Sequence, residues 1–304
     1  MAAARSRRRT RRRSVAMVPY LCLAPATILI AVFVVWPVVS VFYYSLQVYN
    51  VTEPWLNQFV GLGNFKDIPT GDAIFRSSLL VSVEWVVVQV VLQLVLGLGL
   101  ALVLNRAFRG RALARSIIFS PWALSGVVIT ATWTLMYQPL TGMLDTILLR
   151  AGIVHSPVQW LSDTHIVFGS VSLAELWRGV PFFAILLLAG LQGIPSDLYE
   201  AASVDGARRA QAFWRVTLPL LKDTIILATL LRGVWEFNNV DVIYTMTDGG
   251  PGTDTTTLPI YIVNEAVRYH NFGYGSALSV ISFAILLCFA LGYLKLGRFG
   301  REVY

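Results

Sequence analysis

Six stretches of this 304-residue chain stay apolar for longer than a buried core helix would, and polar linkers separate them. The first runs from Ser14 to about Leu46 without a single Asp, Glu, Lys or Arg, and the second, Ser77 to Leu104, holds only Glu84. The third, Ser116 to about Met136, is uncharged, and the fourth, His165 to Ile194, carries Glu175 and Arg178. The fifth, Pro219 to about Met246, carries Arg232, Glu236 and Asp241 past its first residues, and the sixth, Gly273 to Leu294, is uncharged. A bilayer crossing needs about 20 such residues, and backbone in lipid must be helical or part of a closed barrel. Unbroken runs without strict alternation select helix over barrel strand. The pattern predicts an all-α integral membrane protein with six transmembrane helices: a basic tail over 1–14, a first helix over 15–46, a core of five helices over 77–294 and a short tail over 295–304.

Composition agrees, since a mean hydropathy of +0.65 with 13% charged residues falls well below the charged fraction of a soluble domain, about a quarter. The net charge of +7 acquires meaning only from its distribution. With the amino terminus inside, 18 of the 24 Lys and Arg residues fall on the inner side and four, Lys66, Arg76, Arg150 and Arg268, on the outer side. Positive residues favour the cytoplasmic side, so both termini of this multi-pass membrane protein are expected there.

The same distribution argues against nucleic-acid binding. The segment RSRRRTRRR has no interleaved aromatics and directly precedes an apolar run, which suits a topology anchor on anionic lipid. That run is too long for the apolar part of a signal peptide, and LCLAPATI offers no convincing cleavage site. Cys22 and Cys288 both fall within crossings and act as small apolar residues, while His155, His165 and His270 are scattered, so neither a disulfide nor a metal site is expected. The chain also lacks a GxxxxGK[ST] phosphate loop and the GxSxG and HExxH signatures. It is not expected to be an enzyme, and any ATP that drives it must be bound by another chain.

One polar interruption stands out between the fourth and fifth runs: YEAASVDGARRAQAFWRVTLP, residues Tyr199 to Pro219. Pro195 suits a first helical turn, Ser196 or Asp197 can cap it, and Glu200 lies three residues after Asp197 as in a capping box. Gly206 permits a sharp turn, after which Ala207 to Val216 is predicted to form a second short helix before Pro219 opens the next crossing. Ala201, Ala202 and Ser203 keep the first helix slim enough to enter a groove on another protein. A helix lying in the membrane interface, with Arg208, Arg209 and Arg215 on phosphates, is the other reading of the spacing.

Glu200-Ala201-Ala202, then Gly206, then Val216 and Leu218-Pro219 resemble the cytoplasmic EAA signature of permease subunits of bacterial ABC importers, with Val216 where Ile is commoner. FVGLGNF (Phe59 to Phe65), LWRGVPF (Leu176 to Phe182), LQGIPSDLYEAASVDGA (Leu191 to Ala207) and IYTMTDGGPGTDT (Ile243 to Thr255) extend the resemblance to the carbohydrate and glycerol-phosphate (maltose-type) branch, over roughly residues 15 to 295. The resemblance implies the type I permease fold and a loop at 195–218 that docks on an ATPase subunit through Glu200, Ala201, Ala202, Asp205, Gly206, Leu218 and Pro219. It also implies a second homologous permease, two ATPase subunits that hold ATP and Mg, and an extracytoplasmic solute-binding protein. Import of a glycerol phosphate or polyol is the nearest alternative within this class. A secondary transporter would show repeated halves with paired interrupted helices, which this chain lacks.

Charges inside the crossings cost about 2.5 to 3.5 kcal/mol each on insertion scales unless paired or wet. Glu175 with Arg178 and Arg232 with Glu236 are spaced to pair along one helix face, and Glu84 is expected to find a partner on another helix. Two readings of these charges stay open: local neutralisation, or a polar lining of a translocation path. The second is strongest in WEFNNVDVIY, where Trp235, Glu236, Asn238, Asn239, Asp241 and Tyr244 combine carboxylates and amides for sugar hydroxyls with aromatic faces for the ring. The outer loop over 247–273 is expected to start flexible and to continue as an interfacial helix from Pro259 to Tyr269, as a solvated connector or as a gate facing the binding protein.

Overall fold

The computed structural model describes residues 20–297; the basic segment over 1–14 and most of the 295–304 tail lie outside them. Two compact units divide the chain, one formed by the residues up to Asp67 with Glu265–Val280, the other by Ile68–Asn264 with the residues from Ile281 onward.

In the first unit, α1 (20–30), a π-turn (Ala31–Val35) and α2 (Trp36–Tyr44) form one 25-residue helix, Tyr20–Tyr44. The hydroxyls of Thr27 and Ser40 donate to the carbonyls of Leu23 and Trp36, four residues back, so neither is left bare in an apolar surround. A short antiparallel ribbon follows, β1 (Gln47–Val48) against β2 (Gln58–Phe59), which with an isolated bridge between Asn50 and Asn271 departs from an all-helical fold. The Asn64 amide closes this connection by donating to the carbonyls of Ser45 and Gln47, at 3.0 and 2.9 Å. Gly273 lies so close to the backbone of Gln47 and Tyr49 that no side chain fits there.

α3 (Gly63–Gly71) leads into the second unit, where α4 (Ala73–Asn105) begins at the Asp72 carboxylate, which accepts from the Phe75 amide at 2.9 Å. This helix is inverted relative to one in a soluble protein. It buries Ser78, Ser82, Trp85, Gln89, Gln93 and Gly97, at spacings of three and four, and exposes Leu80, Val87, Val91 and Val95. Lipid rewards no burial of leucine, so close packing and polar contacts go inside. Gly97 is what allows α8 (Val167–Gln192) to approach, because a Cβ there would collide with Phe183. α8 is the central helix: 67% of its apolar window is buried, against 22% for that of α4. Its amino-terminal part packs with Trp85, Tyr137, Val242 and Ile243, and its carboxy-terminal part, Phe182 to Leu191, packs with Ala101, Leu104, Leu221 and Ala228. Glu175 and Arg178 lie on α8 between these two clusters.

Among the described residues, four unbroken helices are long and apolar enough to cross a bilayer: Tyr20–Tyr44, α4, α8 and α14 (Phe272–Gly297). The other two expected crossings are not the simple helices predicted. The third is α5 (Arg111–Ala123) and α6 (Gly126–Met136), bent by 94°. Pro121 removes a donor in the last turn of α5, and Leu124 and Ser125 are extended. The fifth is α11 (Leu218–Phe237), whose 20 residues suffice for a crossing but carry Lys222, Asp223, Arg232 and Glu236, followed after Asn238–Val240 by α12 (Asp241–Thr247). The Asn238 amide donates to the Val234 carbonyl at 2.8 Å, and side-chain competition of this kind ends helices.

Two further expectations are corrected. Glu84 finds no ion pair among the described residues: it is exposed, on the side of α4 opposite Trp85, Gln89 and Gln93. The loop after α12 is folded and hydrogen-bonded instead of a solvated connector, with Thr255, Thr256 and Thr257 buried and the first two donating to the carbonyls of Gly250 and Gly249. The helix that follows, α13 (Leu258–Val263) with a π-turn over Asn264–Arg268, buries Leu258 to Tyr261 and so is not interfacial there. The Leu258 amide donates to Ser82 at 2.7 Å, and the Tyr261 hydroxyl donates to Asp72 at 2.7 Å.

Candidate functional site

The polar interruption folds as a helix-turn-helix. α9 (Ser196–Val204) starts at Pro195, so Ser196 and Asp197 sit inside its first turn and the expected side-chain capping box is absent. The carboxylate of Asp197 still lies in the first turn, where it favours the positive helix end. The helix stops as the sequence predicts: Gly206 takes φ +77°, its amide donates to the Ser203 carbonyl, and the Ala207 amide donates to that of Ala202. These two bonds define a Schellman cap, with glycine where a Cβ is disfavoured.

α10 (Arg209–Ala212) begins with the Arg208 amide donating to the Gln211 side chain at 2.8 Å. It then runs without interruption through a π-turn (Phe213–Thr217) into α11, so the second short helix is the first part of a crossing. Glu200, Ala201, Asp205 and Gly206 are exposed, Ala202 and Leu218 are half-buried, and Pro219 is exposed in the first turn of α11. Val204 and Trp214 are 87% and 65% exposed, which leaves apolar surface open beside the turn. The Tyr199 hydroxyl bonds that of Thr217 at 3.1 Å and ties α9 to the base of α11.

At the other end of α11 the intramembrane charges meet. Arg178 pairs with Glu175 at 2.8 Å and Arg232 with Glu236 at 2.6 Å, along the helix faces that the spacing predicts. Arg232 also reaches Glu175 at 2.6 Å, and this contact joins the two pairs into one network. The Arg232 Nε donates to Gln93 at 2.7 Å, and its guanidinium lies 5.8 Å from the centre of the Phe182 ring. Glu236 is saturated: besides Arg232 it accepts from Trp85 Nε1 at 3.0 Å, Gln93 Nε2 at 3.0 Å and Asn239 Nδ2 at 3.3 Å. Glu175 and Glu236 are 0% and 1% exposed, so this saturation decides whether they can stay charged at all.

A cavity of about 300 Å³ opens beside the network at the break between α11 and α12, lined by Arg178, Arg232, Trp235, Glu236 and the residues Asn238 to Asp241. Five of the six residues expected on a path are therefore together; Tyr244, on α12, is exposed but is not in the cavity wall. A Cβ on Gly126, at the start of α6, would stand 3.1 Å from Arg178 Nη1 and 3.5 Å from an Asp241 oxygen, so the α5–α6 break faces the α11–α12 break. Carboxylate, two amides and an indole half exposed at 49% suit a polyhydroxylated solute.

Sequence reasoning missed Trp85 and Gln93 as members of this site, and Gln89 behind them, which accepts from Gln93 Nε2 at 3.0 Å, and it did not join the two ion pairs. The signal was present: an indole and two amides recur every fourth residue in an otherwise apolar run, which puts them on one helix face.

The binding-protein-dependent transport system inner membrane component family matches residues 93–298, more than half of the chain. The chain is 40% identical over 286 residues to the trehalose/maltose transport system permease protein MalF of Thermococcus litoralis, covering 93% of this chain and 94% of that protein. It is 37% identical over 280 residues to the sulfoquinovosyl glycerol transport system permease protein SmoG of Agrobacterium fabrum, covering 91% and 89%. In fold it matches a chain of a bacterial ABC transporter involved in the import of the acidic polysaccharide alginate, with a TM-score of 0.82 at 20% identity over 97% of this chain and 100% of that one.

Proposed function

The chain belongs to the binding-protein-dependent transport system inner membrane components, and from that premise we propose that it is the permease subunit of an ATP-binding-cassette importer for a carbohydrate. Its trehalose/maltose relative, at 40% identity over nearly the whole length, supports the sugar assignment. The observation that carries it is the cavity at the α11–α12 break, whose carboxylate, amides and indole are the groups that bind hydroxyls and cover a pyranose face.

The working assembly holds one copy of this chain, a second homologous permease, two ATPase subunits with ATP and Mg, and an extracytoplasmic solute-binding protein. Both termini lie in the cytoplasm. ATPase closure pulls on α9 and the turn at Gly206; α10 and α11 transmit the displacement, and the cavity opens outward to receive sugar from the binding protein. Hydrolysis returns it inward. Trp235, Asn238, Asn239 and Asp241 line this half of the path, while Glu236 holds the wall in place. The chain performs no covalent chemistry.

Uptake of labelled trehalose into vesicles that contain the complete assembly, with ATP inside, tests the proposal. Uptake that needs both ATP and the binding protein supports it. A chain that copurifies with no ATPase, or that carries solute on an ion gradient alone, refutes it.

A further inference from the structure

The segment over 45–65, which joins the first crossing to α3, is turned inside out. Its asparagines bond its own backbone: Asn57 accepts from the Asn50 amide at 2.8 Å, Asn50 accepts from the Thr52 amide at 2.9 Å, and Asn64 donates to the carbonyls of Ser45 and Gln47. All three are half-buried. The large apolar side chains go the other way, with Val51, Trp55, Leu56, Phe59 and Leu62 between 50% and 77% exposed. Glu53 is the one charge in the segment. An apolar surface of this kind, rimmed by polar groups, marks contact with a membrane or a protein.

The segment is held at the membrane boundary. Tyr20–Tyr44 is one helix of 25 residues. Centred on a bilayer, it rises about 37 Å, beyond the hydrocarbon core of about 30 Å but within the roughly 40–45 Å that includes the headgroups. Tyr44 therefore ends the crossing at headgroup depth, where its ring stacks on that of Tyr49 with 4.8 Å between centres. The Val60 amide donates to the Leu46 carbonyl at 2.9 Å and draws the returning limb of the ribbon back to the same helix end. The Gly273 amide, in the first turn of α14, donates to the Tyr49 carbonyl at 3.1 Å, and Asn50 bridges Asn271. Two crossings thus pin the segment, and none of the apolar window of the first is buried.

We infer that the segment over 51–62 docks on a lipid surface: it lies in the headgroup layer, on the outer face in the orientation proposed, with Trp55, Phe59 and Leu62 among the lipids and Glu53 toward water. Lipid continues the apolar surroundings of the first crossing without a break, at the level where the segment is pinned. Tryptophan suits that depth, because its ring takes the apolar side while its N–H finds acceptors on the wet side. The inward amides and outward aromatics repeat the inversion of α4, for the same reason.

Trp55→Cys, Phe59→Cys and Leu62→Cys, with Glu53→Cys as the water-facing control, are each made in a Cys22→Ala, Cys288→Ala background and labelled with the environment-sensitive fluorophore NBD. The complete assembly is reconstituted into vesicles of phosphatidylethanolamine and phosphatidylglycerol. The expected result at the three apolar positions is emission at shorter wavelength than at Glu53 and weak quenching by aqueous iodide. Lipids doxyl-labelled near the headgroup quench these positions more than lipids labelled near the chain end, and added binding protein changes none of this. Iodide quenching as strong as at Glu53 puts the segment in water and overturns the inference. Quenching by neither iodide nor doxyl lipid shows that another subunit covers the surface, and protection from iodide that appears only with binding protein assigns it to that protein; either overturns the lipid contact. Three positions keep the test intact if one variant fails to assemble, and the readout is independent of which solute is carried.

Discussion

Replacing Arg232 with Met keeps the volume of the side chain but removes the cation that holds two buried carboxylates. Three contacts are lost, to Gln93 at 2.7 Å and to Glu175 and Glu236 at 2.6 Å each. The carboxylates do not suffer equally. Glu175 keeps Arg178, whereas Glu236 keeps only the neutral donors Trp85, Gln93 and Asn239. Breaking one side of a buried ion pair costs about 3–5 kcal/mol, most of it the burden of the stranded charge. At roughly 2–4 °C per kcal/mol for a chain of this size, the melting temperature falls on the order of 10 °C. If the stranded charge on Glu236 is the cause, Arg232→Met with Glu236→Gln recovers at least about 1 kcal/mol, because the glutamine carbonyl still accepts from the same neutral donors. The assay is detergent-solubilised thermal melting followed by size exclusion, with membrane insertion as control. A single variant that melts within about 2 °C of the wild type, or a double variant less stable than the single, would refute the reasoning.

Gly206→Val places a β-branched residue at φ +77° with open space around it, so the cost is purely of the backbone, at least about 1 kcal/mol; sugar-stimulated ATP hydrolysis separates from uptake while Gly206→Asn stays close to wild type, and coupling unchanged in the valine variant at equal membrane level sinks the docking role of the turn. Gly179→Ala drives a methyl group into Gln93 and Arg232 and destabilises the complex by about 1–3 kcal/mol, read by the same melting assay; a wild-type melting temperature contradicts the packing described. Asn239→Leu and Asp241→Leu lower uptake without loss of assembly, and normal uptake in both assigns those residues to packing alone. Cysteines at Gly110 and Ala210 react only with reagent on the cytoplasmic side and one at Thr253 only from outside; all three positions are exposed, so labelling of Ala210 from outside is incompatible with the orientation proposed.

What the sequence disclosed, it disclosed through local rules. The pairs Glu175–Arg178 and Arg232–Glu236 are consequences of helical spacing, and the turn at Gly206 follows from glycine's freedom at positive φ, so both could be read from a few consecutive residues. The bridge from Arg232 to Glu175 spans 57 positions in the chain, and no local rule connects them. The same limit hid the bend at Leu124–Ser125. Pro121 and Gly126 mark a weak place in the helix, but what the glycine serves is close approach to Arg178 and Asp241, which belong to other helices. Glu84 failed in the opposite way: a charge in an apolar run was expected to find a partner on another helix, and the described residues offer none.

The unbroken helix from Arg209 to Phe237 makes the distance from the turn at Gly206 to the cavity a matter of counting. One residue added or removed along α11 would turn everything beyond it by 100° and shift it by 1.5 Å, carrying Arg232 and Glu236 out of register with Glu175. Substitution within this stretch is therefore a question of chemistry, but a change in its length is a question of phase. The π-turn over Phe213–Thr217, where the helix already accommodates wider hydrogen-bonded spacing, is the place along this rod where such a slip can be absorbed before it reaches the charges.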